Sequence, residues 1–577
     1  MASGLPVFVF CLLVIFVFHV NGQNQQCIDD LQSLRAGSYP EAKLLHDATG
    51  KGDYGYFHTF SGYFDPGKWT VCQSRFDDDP GGAQYCYIHL NITAGNDFFT
   101  VGACVPDSCS ADDLNRLPAL NVSKSLHLPV DYQRGLIADC TAASYDIPWG
   151  TWVFVSVYIV LISLLVAGTL LDAQLSHNIF PFLNRGSRNK GYGEIVGVND
   201  SDEKESLITR KNEKLEDKHS SLAVRLLLSF SFTYNYSRLT APSPPGSFDA
   251  LNGVRVIAMM FVVVGHTFYF LWDTMAIMNF QTVAETAKLF RFQIVVAGFY
   301  AVDTFFFLSG FLVAYLFIKE LKSKGMSVKT MVMFYFHRFY RLTPSLIMGM
   351  FFFYLITPYW SNGPYWRFYQ EFVISRCSSG WWYTIMYVQN LVKPSHLCMG
   401  WSWYLADDMQ YYILSPFFLI AYWKNRYLGW ALAVAGVLIC MATNLGIAMG
   451  NDLQEFAGFE FGAELGNYIR PEGKYGTLIY LPPWTRVSPY FIGFICAFIL
   501  LERGITFRVP PVIRGVVYVT SFVSMFILSF ITWTDSNYGW LPWMNYLWIT
   551  ISRPMWSIAL GALLMFCVIG YGGVFTK

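Results

Sequence analysis

Two titratable residues stand in the apolar stretch LNGVRVIAMMFVVVGHTF, residues 251–268. Arg255 and His266 are 11 positions apart. On an α-helix that spacing falls within about 20° of a whole number of turns, so both lie on one face, roughly 16 Å apart along the axis. One face therefore pairs a cation that can hold an anionic group with a proton acceptor placed deeper. Charged and titratable groups inside a bilayer are expensive and mark functional positions by default. The structural alternative makes Arg255 an anchor whose head reaches the interface and His266 a helix-to-helix hydrogen bonder.

Three further stretches carry polar groups in apolar surroundings. AGFYAVDTFFFLSGFLVAY (297–315) contains Asp303 and Ser309. A buried carboxylate needs a partner, and Arg255 or His266 is the expected one. Ser309 beside Gly310 also suits close helix packing. FYFHRFYRLTP (334–344) places Arg338 and Arg341 three residues apart, on similar sides of a helical turn. Two guanidiniums can clamp phosphates or serve as ordinary anchors. CMGWSWYLADDMQYYILSP (398–416) brings Asp407, Asp408 and Gln410 to the start of a span. Tyr404, Asp408 and Tyr412 share one face. These carboxylates can orient a histidine or favour the helix N-terminus electrostatically.

Only 14% of the 577 residues are charged, against about 25% in soluble domains. This deficit predicts a multi-span membrane protein. The zero formal net charge supplies no argument for nucleic acid as a partner. The expected fold is mainly α, a polytopic transmembrane helix bundle with an N-terminal disulfide-rich extracellular or lumenal domain. Residues 1–22 read as a signal peptide, with an uncleaved anchor as the alternative because no Lys or Arg precedes the apolar run. Residues 23–148 carry Cys27, Cys72, Cys86, Cys104, Cys109 and Cys140, an even set that predicts three disulfides among 15 possible pairings. CVPDSC lacks the partner spacing of a zinc site, and no metal is expected. Asn91 and Asn121 stand in glycosylation sequons.

A first transmembrane helix is expected at 149–171, then a polar cytoplasmic linker at 172–248 with the composition of disorder. The remaining domain, 249–577, contains apolar runs at about 251–272, 293–318, 342–360, 403–423, 428–449, 487–501, 510–533 and 557–575, giving nine spans in all. Basic connections at 319–341, 424–427 and 502–509 are expected in the cytoplasm, and 361–402 and 450–486 in the lumen. Cys377 and Cys398 then fall on the oxidising side and are expected to pair.

Taken together, the Arg255–His266 helix, VDTFFFLSGF, HRFYRLTP and WYLADDMQ resemble the membrane acyltransferase-3 family. The cysteine-rich N-terminal segment and YLPPWTRVSPYFIG (480–493) resemble its animal branch, the nose-resistant-to-fluoxetine proteins. That resemblance implies transfer of an acyl group from a cytoplasmic donor, acyl-CoA as co-substrate, to a hydroxyl on a lipid or carbohydrate. No bound cofactor is expected. It makes Arg255 and His266 the functional pair and places Arg338 and Arg341 on the donor side, with Asp303, Ser309, Asp408 and Gln410 supporting. It leaves the oxyanion stabiliser unidentified. The family core usually continues with two more helices, so this core reads as two helices short. The rival expectation is a non-enzymatic lipid or drug transporter, since transporters also place polar residues on bundle-facing helix surfaces. Either is expected to be a multi-pass protein of the secretory pathway, in the endoplasmic reticulum or plasma membrane, with membrane lipids as partners.

A lumenal N-terminal domain makes a direct forecast. Glycosidase treatment of the chain expressed in animal cells should lower its apparent mass, and the double substitution Asn91→Gln, Asn121→Gln should remove the shift. An unchanged wild-type mass would contradict the topology.

Overall fold

The computed structural model describes residues 24–39, 42–49, 57–59, 62–65, 68, 72, 83–91, 98–117, 136–140, 147–177, 221–242, 248–273, 286, 288–361, 363–392, 397–453, 475–505 and 507–572. The expected signal segment, the centre of the linker, and Asn121 lie outside the described residues.

The N-terminal domain builds a five-stranded sheet from β1 (Phe57–Thr59), β2 (Gly62–Asp65), β3 (Ala83–Asn91), β4 (Phe98–Pro106) and β5 (Leu136–Asp139). The strand order is β1-β2-β4-β3-β5, parallel only between β2 and β4. Helices α1 (Gln25–Ala36), α2 (Ala42–Ala48) and α3 (Ala111–Arg116) complete it. The six cysteines pair as Cys27–Cys109, Cys72–Cys104 and Cys86–Cys140. All but Cys140 are buried in the core with Leu31, Leu34, Ile88 and Val105. A core this small gains from such staples, because closing loops restricts the unfolded chain. Helix α3 begins with a reciprocal cap, Ser110 receiving the Asp113 N–H while the Asp113 carboxylate accepts from the Ser110 backbone. Partial burial works against the charged form of Asp113, but hydrogen bonds from Ser110 and Asn24 outweigh it and hold the carboxyl below its usual range. Asn91, the expected glycosylation acceptor, closes β3.

Residues 147–247 form a separate compact unit. Its helix α4 (Trp149–His177) is apolar along most of its length. Helices α5 (Leu222–Leu228) and α6 (Phe232–Leu239) lie against it, held where Ser231 and Thr233 donate to the Asp172 carboxylate. The end of the expected linker is therefore helical, because LAVRLLL and FTYNYSRL supply apolar faces that the polar centre lacks.

The remaining helices are α7 (Asp249–Asp273), α8 (Tyr300–Lys324), α9 (Val328–Phe351), α10 (Pro364–Ile385), α11 (Trp403–Lys424), α12 (Arg426–Asn451), α13 (Ser488–Arg503), α14 (Pro511–Phe530) and α15 (Pro542–Val568). Among the described residues, seven helical stretches are long and apolar enough to cross a membrane, α4 among them. This is a multi-pass membrane protein. Each of the nine expected spans overlaps a helix, but the last, expected at 557–575, is α15 at 542–568, and α11 and α13 fall outside the seven. Helix α11 carries Asp407 and Asp408, and α13 is only 16 residues long. Both are packed inside the bundle, where neighbouring helices replace lipid.

Two connections differ from expectation. Helix α9 starts at Val328, well before the expected span at 342, so Arg338 and Arg341 lie within a helix rather than in a cytoplasmic connection. The basic residues had masked an otherwise apolar face. The connection at 361–402 contains the 22-residue helix α10, tied by the expected Cys377–Cys398 disulfide to the segment entering α11.

The tightest packing in the bundle is between α8 and α13. A Cβ added at Gly310 would lie 2.2 Å from the Tyr490 carbonyl oxygen, and one at Gly493 would lie 2.4 Å from that of Phe307. Small residues let two backbones approach in this way, so Gly310 takes the packing role foreseen for it. Ser309, half-buried beside it, comes close to the Tyr490 phenol. We expect Gly310→Ala and Gly493→Ala to destabilise the detergent-purified protein by about 1–3 kcal/mol, the usual cost of overpacking. Gly446→Ala, whose added Cβ meets nothing within 4 Å, should be neutral or slightly stabilising. Thermal unfolding distinguishes these outcomes.

Candidate functional site

Helix α7 presents Arg255 and His266, both half-buried. Arg255 Nη1 donates to the Asn252 side-chain oxygen at 3.0 Å. His266 Nδ1 lies 2.8 Å from the carbonyl oxygen of Val262, one turn back. A carbonyl only accepts, so Nδ1 carries the proton, and in the neutral ring Nε2 carries the lone pair. The flanking part of α7 packs on the turn at 290–299. A Cβ added at Gly298 would lie 3.3 Å from the Phe261 carbonyl oxygen, and the Phe268 and Phe292 ring centroids are 5.2 Å apart. That turn positions the His266 segment.

Around Arg255 the helices gather more cations. Arg341 of α9 lies within electrostatic range of Arg255, and Tyr404 of α11 lies in the field of both Arg255 and Arg338. Arg338 pairs with the Asp408 carboxylate, and its guanidinium stands 4.5 Å from the Tyr412 ring centroid. The Tyr404–Asp408–Tyr412 face is therefore the surface that Arg338 meets. Asp408 neutralises part of its charge, while Arg341 stays exposed. Arg338 and Arg341 thus do not form a symmetrical clamp.

Next to this cluster is a polar network with little signal in the sequence. Asn390 donates to the Asp407 carboxylate at 2.5 Å. Gln410 donates to the Asn390 side-chain oxygen at 2.9 Å and to the Tyr387 carbonyl at 2.8 Å. Tyr387 has φ 59°, a left-handed conformation uncommon for a non-glycine residue, and its hydroxyl shares a 2.9 Å hydrogen bond with Thr343. The described partners of Asp407 are the Asn390 amide and the Tyr411 side chain, and that of Asp408 is the Arg338 guanidinium, so neither carboxylate is seen orienting a histidine.

Asp303 also has unexpected partners. It is 1% exposed and lies 3.4 Å from Arg486 and 3.9 Å from Arg553, rather than pairing with Arg255 or His266. Arg486 comes from the expected lumenal connection at 450–486. Its described end, residues 475–486, turns into the core through short helical turns before α13. Arg486 is fully buried, stacked 4.8 Å from the Tyr480 ring centroid and 5.4 Å from that of Trp403. Arg553 Nη2 donates to the Tyr475 hydroxyl at 2.5 Å. The one available signal was Arg486 itself, an arginine within YLPPWTRVSPYFIG.

A bundle of membrane-length helices with buried ion pairs among them defines an integral-membrane protein. Residues 248–573 match the family described as the acyltransferase domain, Acyl_transf_3, which is more than half of the chain. The chain belongs to this acyltransferase-3 family. It is 28% identical over 378 residues to nose resistant to fluoxetine protein 6 of Caenorhabditis elegans, covering 61% of this chain and 44% of that one. It is 28% identical over 141 residues to regulator of hypoxia-inducible factor 1 of the same organism, covering 23% of this chain and 28% of that one. A Staphylococcus aureus (strain COL) protein named "Putative O-acetyltransferase" is 23% identical over 299 residues, covering 50% of this chain and 41% of that one. The chain spans less than half the length of these relatives. No solved structure is a significant match.

The Arg338–Asp408 pair makes a forecast of its own. Removing one partner of a buried pair leaves an uncompensated charge, whereas replacing both with apolar groups is far less harmful. Arg338→Met or Asp408→Leu alone should destabilise by up to about 3 kcal/mol. The double variant should recover most of that loss. A double variant as unstable as the sum of the singles, by thermal unfolding, would show that the pair is not coupled.

Proposed function

We propose that this protein is a membrane O-acyltransferase that moves an acyl group from acyl-CoA on the cytoplasmic side to a hydroxyl of a lipid or carbohydrate. The observation that carries this reading is the His266 Nδ1–H bond to the Val262 carbonyl, which makes Nε2 the basic nitrogen on the same helix face as Arg255. Nε2 takes the proton of the acceptor hydroxyl as its oxygen attacks the thioester carbonyl. The carbon–sulfur bond then breaks, and the departing coenzyme A thiolate takes up the proton. A coenzyme A thioester carries its phosphates at one end and its reactive carbonyl at the far end of a linear arm. The roughly 16 Å between Arg255 and His266 along the helix suits a donor of that shape.

Arg255 and Arg341 hold the phosphates, and Arg338, braced by Asp408, keeps the third guanidinium in place. Gln410 and Asp407 support this corner through Asn390. Ser309 and Gly310 set the approach of α8 to α13. In the same reading the N-terminal domain is lumenal or extracellular and glycosylated, behind a cleaved signal peptide, and the protein resides in the endoplasmic reticulum or plasma membrane.

In purified protein supplied with labelled acyl-CoA and a membrane lipid extract, His266→Ala should lower acyl transfer by about 10²–10⁴-fold at unchanged expression and membrane insertion. Arg255→Ala should instead raise the donor KM, with Arg255→Lys only a partial rescue, because an ammonium does not reproduce bidentate phosphate contacts. Substantial transfer by His266→Gln would rule out the base. Lipid uptake that depends on His266, without acyl transfer by any form including wild type, would establish transport in its place.

A further inference from the structure

Asp303, Arg486 and Arg553 border a cavity that the acyl-transfer chemistry does not use. It is about 20 Å³ in volume for the centre of a water molecule and is otherwise walled by Tyr300, Tyr480 and Trp548, among others. One water needs about 10–15 Å³ by that measure, so the space takes one small group, or two at most.

Arg486 shows what kind of group is missing. The rings of Tyr480 and Trp403 lie over its guanidinium, so only the N–H edge is left for polar partners. Among the described residues, none of Nε, Nη1 and Nη2 has a hydrogen bond, although all three are buried. Asp303 at 3.4 Å is an ion-pair partner without a hydrogen bond. Asp407, a second carboxylate in the field of Arg486, is engaged by Asn390. A guanidinium has five donors and no acceptor, so its complement is an acceptor-rich group. Hydrogen bonds to an anion are roughly twice as strong as neutral ones, and a buried unsatisfied charged donor is costly.

We propose that the Arg486 edge and the adjoining cavity form a binding site for one small monovalent anion, a halide or formate. Arg553 adds a second positive charge from α15, and Asp303 opposes the anion while fixing both guanidiniums. The volume excludes sulfate, phosphate and gluconate. Occupancy would join α15 to the turn that precedes α13 through a shared ion, so binding should stabilise the fold.

The test is thermal unfolding of the detergent-purified full chain at constant ionic strength, with chloride or formate replacing gluconate. The expected result is a saturable rise in unfolding midpoint with chloride and with formate, and none with sulfate. Arg486→Gln should abolish the rise. Asp303→Asn should lower the half-saturating anion concentration about tenfold or more, because the nearest competing negative charge is gone. A purely structural ion cluster predicts no such gain. If Arg486→Gln does not fold, the wild-type titration and Asp303→Asn still decide. A wild-type midpoint that is indifferent to anion identity, or Asp303→Asn with unchanged or weaker anion dependence, would overturn the site.

Discussion

The carboxylate of Asp303 is the constraint on which the bundle turns. It lies in the first turn of α8 among aromatic residues, 1% exposed. A charge taken out of water is tolerated only with close partners, and α8 has no cation near it. The two that answer come from Arg486 and Arg553, far along the chain. To reach Asp303, residues 475–486 must enter the core and α15 must bring Arg553 alongside. The same requirement draws α8 and α13 into backbone contact, and only Gly310 and Gly493 allow that approach. Charge pairing and close packing thus specify one arrangement of α8, α13 and α15.

Helix α11 then separates two basic regions. Trp403 and Tyr404 are adjacent residues, about 100° apart around the helix. Trp403 covers the Arg486 guanidinium, while Tyr404 lies in the field of Arg255 and Arg338. One turn of aromatic side chains keeps the fully buried cluster apart from the half-buried one, where Arg341 remains exposed. An enclosed guanidinium suits a small permanent or structural ligand. An exposed one suits a partner that comes and goes.

Composition and periodicity made most of the fold legible. Each apolar run fell on a helix, although α15 starts about 15 residues before the run expected at 557–575, the even N-terminal cysteine count matched three pairs, and the expected topology foresaw Cys377–Cys398. Helix α10 was missed because PYWRFYQEFVISRCSSGWWYTI mixes charges and aromatics without a clear apolar stripe. The start of α9 was placed late because His337, Arg338 and Arg341 resemble a cytoplasmic connection. The candidate site was legible where its residues share a helix, as with Arg255 and His266, or where an i+4 face shows, as with Tyr404, Asp408 and Tyr412. It was not legible where partners converge from distant segments. Nothing local in VDTFFFLSGF says that Asp303 meets Arg486 and Arg553 rather than Arg255.

The pair of arginines three residues apart in α9 shows how tertiary context divides like residues. Arg338 is flanked by an acid and a ring, Asp408 and Tyr412, both on the facing surface of α11. Its charge is largely balanced and its geometry held. Arg341, one turn on, has no such acid among its described contacts and stays exposed near Arg255. Two like charges near one another repel, and the solvent exposure of Arg341 offsets part of that cost. In a membrane bundle, where water screens poorly, that repulsion is stronger than at a soluble surface. Arg338 is therefore the fixed member that ties α9 to α11, while Arg341 keeps an uncompensated charge near Arg255.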